Sequence, residues 1–377
     1  MTPVYDVVVA GGGPAGSAAA LALAAQGRSV LLAHAASGPP PVGEALPAAA
    51  RMLLHDLGVA GTVPGEGHLP CYANRSAWGS EQLGTVDSIN DPYGPGWHLD
   101  RALFDHRLRE AAAAAGADVR EALVRPTARH PDGTWTLTLH RPHPPGTVRC
   151  RRLVDATGRR AAIATTHGAR RLVGDRLIAL HVTLGPPAGA AGSTDGTTLV
   201  EAVPDGWWYS ALLPGGRLLV AFFTDADLPA ARVDAGLFRR RLAATGPTAA
   251  RAAAHPFPGP AAPARAPAHT VRLDRVHGDG WTAAGDAAAA FDPLSSQGIL
   301  TALYTGRAAG LAVHGHLGGD PDALGGYAAH LAGVTAAYHR NHAAYYALEQ
   351  RWPDRPFWQR RHVGRPDPLP VGVLHGG

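Results

Sequence analysis

The chain opens on a β-branched apolar run from Val4 to Ala10, a glycine turn, and an alanine- and leucine-rich stretch closed by Gly27. A second apolar run follows from Arg28 to Ala33. Short run, turn, helix-length run and short run again predict a βαβ unit. Beyond a Pro-rich loop at Pro39–Pro41, "VGEALPAAARMLLHDLGV" predicts a turn and an amphipathic helix with Leu53, Leu54 and Leu57 on one face. "WHLDRALFDHRLREAAAAAGADV", residues 97–119, predicts a strand end and a helix with Phe104 and Leu108 facing one way and Asp100 as its N-cap.

The segment "CRRLVDATGRRAA" predicts a short strand over Leu153–Ala156 ending in a Thr157-Gly158 turn. From about Ile163 to Ala268 the period changes. Runs such as "RLIALHVTL", "TTLVEAVP", "GWWYSALLP" and "RLLVAFFT" are separated by Gly, Pro and Asp, which predicts a mostly antiparallel sheet. "GWTAAGDAAAAF" returns to a strand, followed by a helix from about Gln297 to His316 and an aromatic- and His-bearing helical region. There is no internal repeat, and the Pro- and Gly-containing tail after Arg365 reads as a loosely held terminus.

These elements give an α/β fold: a Rossmann-like dinucleotide-binding domain, an inserted mostly antiparallel β-sheet domain, and C-terminal helices. The expected division is 1–70, 97–162 and 269–318 for the discontinuous first domain, and 71–96 and 163–268 for the second. Residues 319–365 form a helical region and 366–377 a tail.

Composition narrows the classes. A chain of 377 residues, 46% hydrophobic and 17% charged, has ample core, and its apolar stretches break well before the about 18 residues of a membrane span. The first strand begins too early for a secretory leader, so a cytoplasmic, soluble protein with no membrane contact is expected. Cys71 and Cys150 have no ligand-like spacing, and no metal site is expected. The net charge is +4, but the arginines are scattered, so nucleic acid is not an expected partner. All 34 basic residues are arginine, and any mechanism that needs a catalytic lysine is excluded.

Gly11, Gly13 and Gly16 stand in G-x-G-x-x-G spacing between the first strand and helix. Lack of a Cβ there allows a tight turn, close approach of a pyrophosphate, and close helix–strand packing, while the helix N-terminus supplies N–H donors. The second strand usually ends in an acid that takes the adenosine ribose; here that position is His34, whose neutral ring still accepts one hydrogen bond. Glu44 reads either as a charge complementing a helix dipole or as a polar contact to the cofactor. Arg101 in the first turn of its helix opposes the dipole, which points to a bound anion. Asp286, set among alanines, would cost several kcal/mol as an unpaired buried carboxylate and so requires partners.

With "GGGPAG", "DR" at 100–101, "DATG" at 155–158 and "GDAAAAFDPLSSQGI", the chain resembles the FAD-dependent monooxygenase superfamily that also contains flavin-dependent halogenases and geranylgeranyl reductases. The resemblance implies that Asp286 of the Gly285-Asp286 pair hydrogen-bonds the ribityl chain of FAD. It also implies that Pro293, Gln297 and Gly298 lie against the flavin ring, and that Arg101 and Gly158 belong to the cofactor site. "VGEALPAAARMLLHDLG", "PDGWWYSALLPGG" and "YYALEQRWPDRPFWQRR" resemble the flavoproteins that mature quinone-cofactor amine oxidases by oxygenating a protein tryptophan.

That likeness implies O₂ as co-substrate, a flavin C4a-hydroperoxide, and hydroxylation of an electron-rich aromatic, either a small molecule or a tryptophan or tyrosine in a peptide or partner protein. FAD would be reduced by NAD(P)H directly or through a separate flavin reductase. Halogenases of this superfamily rely on a lysine and usually show W-x-W-x-I-P; this chain has neither, its nearest match being Trp207-Trp208-Tyr209. No catalytic base is evident. Trp97, His98, Trp207, Trp208 and Tyr209 are candidates for a substrate-pocket wall. A reductase of the geranylgeranyl type and a flavin-binding maturation factor without turnover are the alternatives.

Overall fold

The computed structural model describes residues 4–35, 44–140, 146–187, 195–260 and 262–362. The loop at Pro39–Pro41 and the tail after Arg365 lie outside the described residues. The chain divides into two compact units: residues 1–67, 99–174 and 270–333, and residues 68–98, 175–269 and 334–377. The stretch 319–365, expected as one helical region, is shared between them.

In the first unit, β1 (Val4–Ala10), α1 (Pro14–Ala25) and β2 (Val30–His34) are the expected βαβ unit. β1 lies between β2 and β4 (Gly146–Asp155), parallel to both. With β3 (Asp118–Glu121), β5 (His277–Gly278) and β6 (Trp281–Ala283) the order is β5-β6-β4-β1-β2-β3, all parallel except the β5–β6 pair. A hairpin over Leu123–Arg129 and Trp135–His140 adds antiparallel strands to β4. Val7, Val8 and Val9 are completely buried, as a central parallel strand covered on both faces requires.

Four further helices complete this description: α2 (Ala50–Asp56), α3 (Arg101–Ala114), α4 (Ala162–Thr166) and α5 (Gly298–Leu317). α1 packs on α5 closely enough that a Cβ on Gly306 would stand 2.1 Å from the Ala15 carbonyl oxygen, and one on Gly310 2.8 Å from that of Ala19. Two glycines four apart, a helical turn, thus let the helix backbones meet. Asp100 caps α3 by accepting from the Leu103 N–H at 3.0 Å, and Phe104 and Leu108 are its buried face.

The second unit is built on a seven-stranded sheet in the order 264–267, 177–184, 217–225, 206–213, 197–203, 73–77, 84–87. All its pairs are antiparallel except that of 197–203 with 73–77, so the mostly antiparallel expectation holds. The C-terminal aromatic run folds back within this unit. Tyr346 and Trp358 are fully buried, and the Trp358 indole donates to the Val203 carbonyl at 3.0 Å. Arg361 meets the buried Asp225 carboxylate at 2.7 Å, and Arg360 reaches the same acid at 2.9 Å. A buried carboxylate is tolerated there because two guanidiniums supply its hydrogen bonds.

Among the described residues no helix is long and apolar enough to cross a membrane, and no group of three or more His, Cys, Asp or Glu side chains is arranged to hold a metal ion.

Candidate functional site

The turn after β1 is glycine for three different reasons. Gly11 has φ +115°, and a Cβ on it would stand 2.1 Å from the Ala156 carbonyl oxygen, so the turn passes against the end of β4. A Cβ on Gly16 would stand 1.7 Å from the Gly11 carbonyl oxygen, so this glycine lets α1 close onto the turn. Gly13 differs from both. Its φ of −80° suits any residue, and a Cβ there meets nothing within 4 Å. No protein contact explains that glycine. It borders open space at the N-terminus of α1, whose cap position makes no side-chain hydrogen bond. Free first-turn N–H groups beside such a space form a cradle for an anion such as a pyrophosphate.

His34 ends β2 next to this turn, close enough that a Cβ on Gly12 would stand 2.5 Å from its own Cβ. The His34 Nδ1 lies 3.0 Å from the Ala35 carbonyl oxygen, which only accepts, so the neutral ring keeps Nε2 as an acceptor. Arg109 on α3 donates to the Gly12 carbonyl at 3.1 Å and fixes the far side of the turn.

On the neighbouring strand β4, Asp155, which pairs with Ala10 of β1, is fully buried and holds the Thr157-Gly158 turn. Its carboxylate accepts from the Thr157 N–H and hydroxyl at 3.0 and 2.6 Å and from the Ile163 and Ala164 N–H groups at 2.9 and 2.8 Å. Gly158 has φ +69° and open space over its Cα. An acid closing the apolar Leu153-Val154 strand end is the sequence signal for this turn-holding role of Asp155.

Gly285, with φ +59°, is held by its N–H to the Thr305 hydroxyl at 3.0 Å, and a Cβ there would strike Ala15 at 2.5 Å. Asp286 follows, and here the expectation needs correction. Its neighbours Gly285 and Ala287 are buried, but its own side chain is 43% exposed and stands 3.7 Å from Arg159. The carboxylate lies in a recess: surrounding protein pushes its pKa up, while Arg159 and Arg101 oppose the shift. It is not an orphan inside a core.

Asp292 caps the short turn over Pro293–Ser295 by accepting from Leu294 N–H at 2.9 Å, and Ser296 takes the left-handed conformation at φ +52°. Gln297 is then the N-cap of α5 without a side-chain cap bond, and a Cβ on Gly298 meets nothing within 4 Å. A second uncapped helix start in this unit therefore opens onto free space.

Two further expectations change. Glu44 is buried but lies well before α2, whose first turn carries no acid, so it does not complement the dipole of that helix. Arg101 meets Asp105 one turn on at 3.3 Å, so the chain itself supplies an anion for this cation.

In the second unit the pocket-wall candidates separate by burial. Trp208 packs with Phe222 and Phe238 in the core between the sheet and the Ala235–Ala243 helix. Trp207, on the opposite face of its strand, stacks on Phe223 with ring centroids 3.9 Å apart and donates to the Tyr346 hydroxyl at 3.0 Å. His98 is fully buried, its Nε2 3.0 Å from the Thr198 hydroxyl. These three are core side chains, a correction to the pocket-wall expectation; Trp97 and Tyr209 keep accessible surface.

Burial, aided by Arg251, pushes His98 down to about 4. An unfolded histidine titrates near 6.5, so the unfolded chain takes up a proton between those values and the folded one does not. Folding stability is fully present above about pH 6.5 and falls as the pH drops toward 4, by on the order of 3 kcal/mol from this group. Urea unfolding of wild type and His98→Gln from pH 7 to 4.5 checks this: the wild type is expected to lose stability more steeply. Parallel losses would remove the assignment.

The model for the FAD binding domain matches residues 4–320, most of the chain and all the cradle elements above. The protein belongs to this FAD binding domain family. It is 30% identical over 365 residues to the putative FAD-dependent oxidoreductase LodB of Marinomonas mediterranea, covering 95% of this chain and 97% of that protein. Among solved structures it is similar to the myxobacterial chondrochloren halogenase CndH, with a TM-score of 0.86, 21% identity, and coverage of 98% and 87% of the two chains. It is also similar to the peptidyl tryptophan dihydroxylase QhpG, with a TM-score of 0.78, 25% identity, and coverage of 97% and 81%. The chain is thus an FAD-dependent oxidoreductase of a fold shared by halogenases and a hydroxylase.

Proposed function

We propose that this protein is an FAD-dependent monooxygenase that hydroxylates an electron-rich aromatic, with a tryptophan or tyrosine side chain in a peptide or partner protein as its substrate class. The observation that carries the choice is the absence of lysine from all 377 residues. Halogenation in this superfamily relies on a lysine, whereas hydroxylation asks only that the aromatic be held near the flavin and water kept out. The likeness to QhpG over 97% of this chain supports the peptide-bound substrate.

In this reading the Gly13 cradle and the α1 N–H groups bind the pyrophosphate, and Gly11 and Gly16 shape the turn. The His34 Nε2 accepts from the adenosine ribose. Asp286 accepts from the ribityl hydroxyls, in the region of Gly158, Gly285 and Arg101, with Glu44 as a further polar contact. Pro293, Gln297 and Gly298 place the α5 N-terminus against the flavin ring, where N–H donors favour negative charge. FAD, reduced by NAD(P)H or by a separate flavin reductase, supplies with O₂ the oxygen that is transferred. Of the pocket-wall candidates, Trp97 and Tyr209 keep the surface with which to touch a substrate.

Halide discriminates this reading from the halogenase alternative. FAD-loaded protein, given a flavin-reducing system, O₂, bromide or chloride, and tryptophan or a tryptophan peptide, is expected to form no halogenated product above a flavin-only control. Enzyme-dependent halogen incorporation would overturn the choice.

A further inference from the structure

Away from the glycine cradle, the first unit holds a buried cation with no acid bonded to it. Arg152 on β4 is only 9% exposed, and its Nε and Nη2 have no hydrogen-bond partner among the described residues. Strand register shows what surrounds it. Val154, two residues along the same strand, is paired with Thr282 on β6, and Thr282 is paired with His277 on β5, so Arg152, Thr282 and His277 share one face of the sheet. The Thr282 hydroxyl is fully buried and also unpartnered. His316, in the last turn of α5, has a buried Nδ1 without a partner.

These groups sense one another. Burial together with Arg152 and His316 pushes His277 down, and burial together with Arg152 pushes His316 down. Arg152 is itself lowered, first by burial and then by Arg129. The nearby acids do not close the account: Asp279 is bonded to Arg129 at 2.6 Å with its side chain 85% exposed, and Asp320 is exposed. A buried guanidinium that shares a sheet face with a buried, unpartnered hydroxyl and His277, and that acts electrostatically on His316, is costly unless something negative completes it.

We propose that Arg152, Thr282, His277 and His316 form a binding site for a phosphoryl oxyanion, separate from the cofactor cradle. Arg152 donates from Nε and Nη2 in the forked geometry that suits two oxygens of one phosphate, Thr282 donates its hydroxyl, and the histidines donate ring N–H groups. The ligand is either free phosphate or the phosphate of a larger molecule.

The test uses FAD-loaded protein, so that the cofactor's own phosphates fill the glycine cradle. Thermal unfolding is followed in phosphate-free buffer at constant ionic strength as inorganic phosphate is added, and in a second arm as adenosine 2′,5′-bisphosphate is added. Wild type is expected to show a saturable rise of about 3 °C in at least one arm. A response to both assigns the free anion, and a response to the bisphosphate alone assigns the larger source. Arg152→Met should abolish the rise while retaining FAD, and His316→Gln should weaken apparent affinity about tenfold, which keeps the test decisive if the first variant folds poorly. No saturable response in either arm, or an undiminished response in both variants, would overturn the site and assign these open hydrogen bonds to water.

Discussion

Gly13→Val is expected to give a folded protein that no longer retains FAD, whereas Gly16→Val is expected to disrupt the first βαβ unit itself. The two glycines belong to one fingerprint and differ by three positions, yet their surroundings are opposite. At Gly13 the backbone is ordinary and a Cβ meets nothing, so valine removes only the space that the pyrophosphate requires. At Gly16 a Cβ would stand 1.7 Å from a backbone oxygen, and no side-chain rotation relieves a clash with backbone. Purified Gly13→Val should melt within about 2 °C of FAD-free wild type and show little visible flavin absorbance per protein. Gly16→Val should be largely insoluble or lack a cooperative transition. If Gly13→Val purified with full flavin, the cradle assignment would fail whatever happened at Gly16.

Asp286→Ala is expected to weaken FAD binding by at least about tenfold and up to about 100-fold, because hydrogen bonds to a charged group contribute about 1.5–3 kcal/mol. The carboxylate sits in a recess with 43% of its side chain exposed and Arg159 3.7 Å away, so its loss removes that contact and, in the proposed reading, the acceptor for the ribityl hydroxyls. Asp286→Asn, which keeps an accepting oxygen but no charge, should fall between. Equilibrium titration of the FAD-free variants with FAD, followed by flavin fluorescence, measures both. An affinity for FAD unchanged in Asp286→Ala would remove this residue from the site while leaving the Gly13 argument intact.

Much of this was readable in the chain because the signals are local. The βαβ unit, the N-cap at Asp100 and the alternating strands of 177–225 follow from short-range periodicity and turn residues, and the structure reproduces them. Alanines on both sides of Asp286 suggest burial, but the 3₁₀ turn over Gly285–Ala287 leaves 43% of its side chain exposed, 3.7 Å from Arg159. Three of the five pocket-wall candidates are buried, and for the Trp207-Trp208 pair the reason is that neighbouring residues on a strand take opposite faces. Trp208 necessarily faced the sheet's packed side, and Trp207 found Phe223 and Tyr346, partners more than a dozen residues away that no local pattern reveals. Arg152 was invisible for the same reason, since its neighbours come from β5, β6 and the far end of α5.

Oxygen transfer from O₂ to an aromatic side chain is checked by isotope labelling. FAD-loaded protein is mixed with a flavin-reducing system, ¹⁸O₂, and tryptophan- and tyrosine-bearing peptides, and the products are read by mass spectrometry. Peptide carrying ¹⁸O on the aromatic residue is expected, in amounts that require the protein and vanish with Gly13→Val. Flavin turnover that consumes ¹⁸O₂ and leaves every peptide unlabelled, or a modified peptide whose new oxygen comes from water, would contradict it.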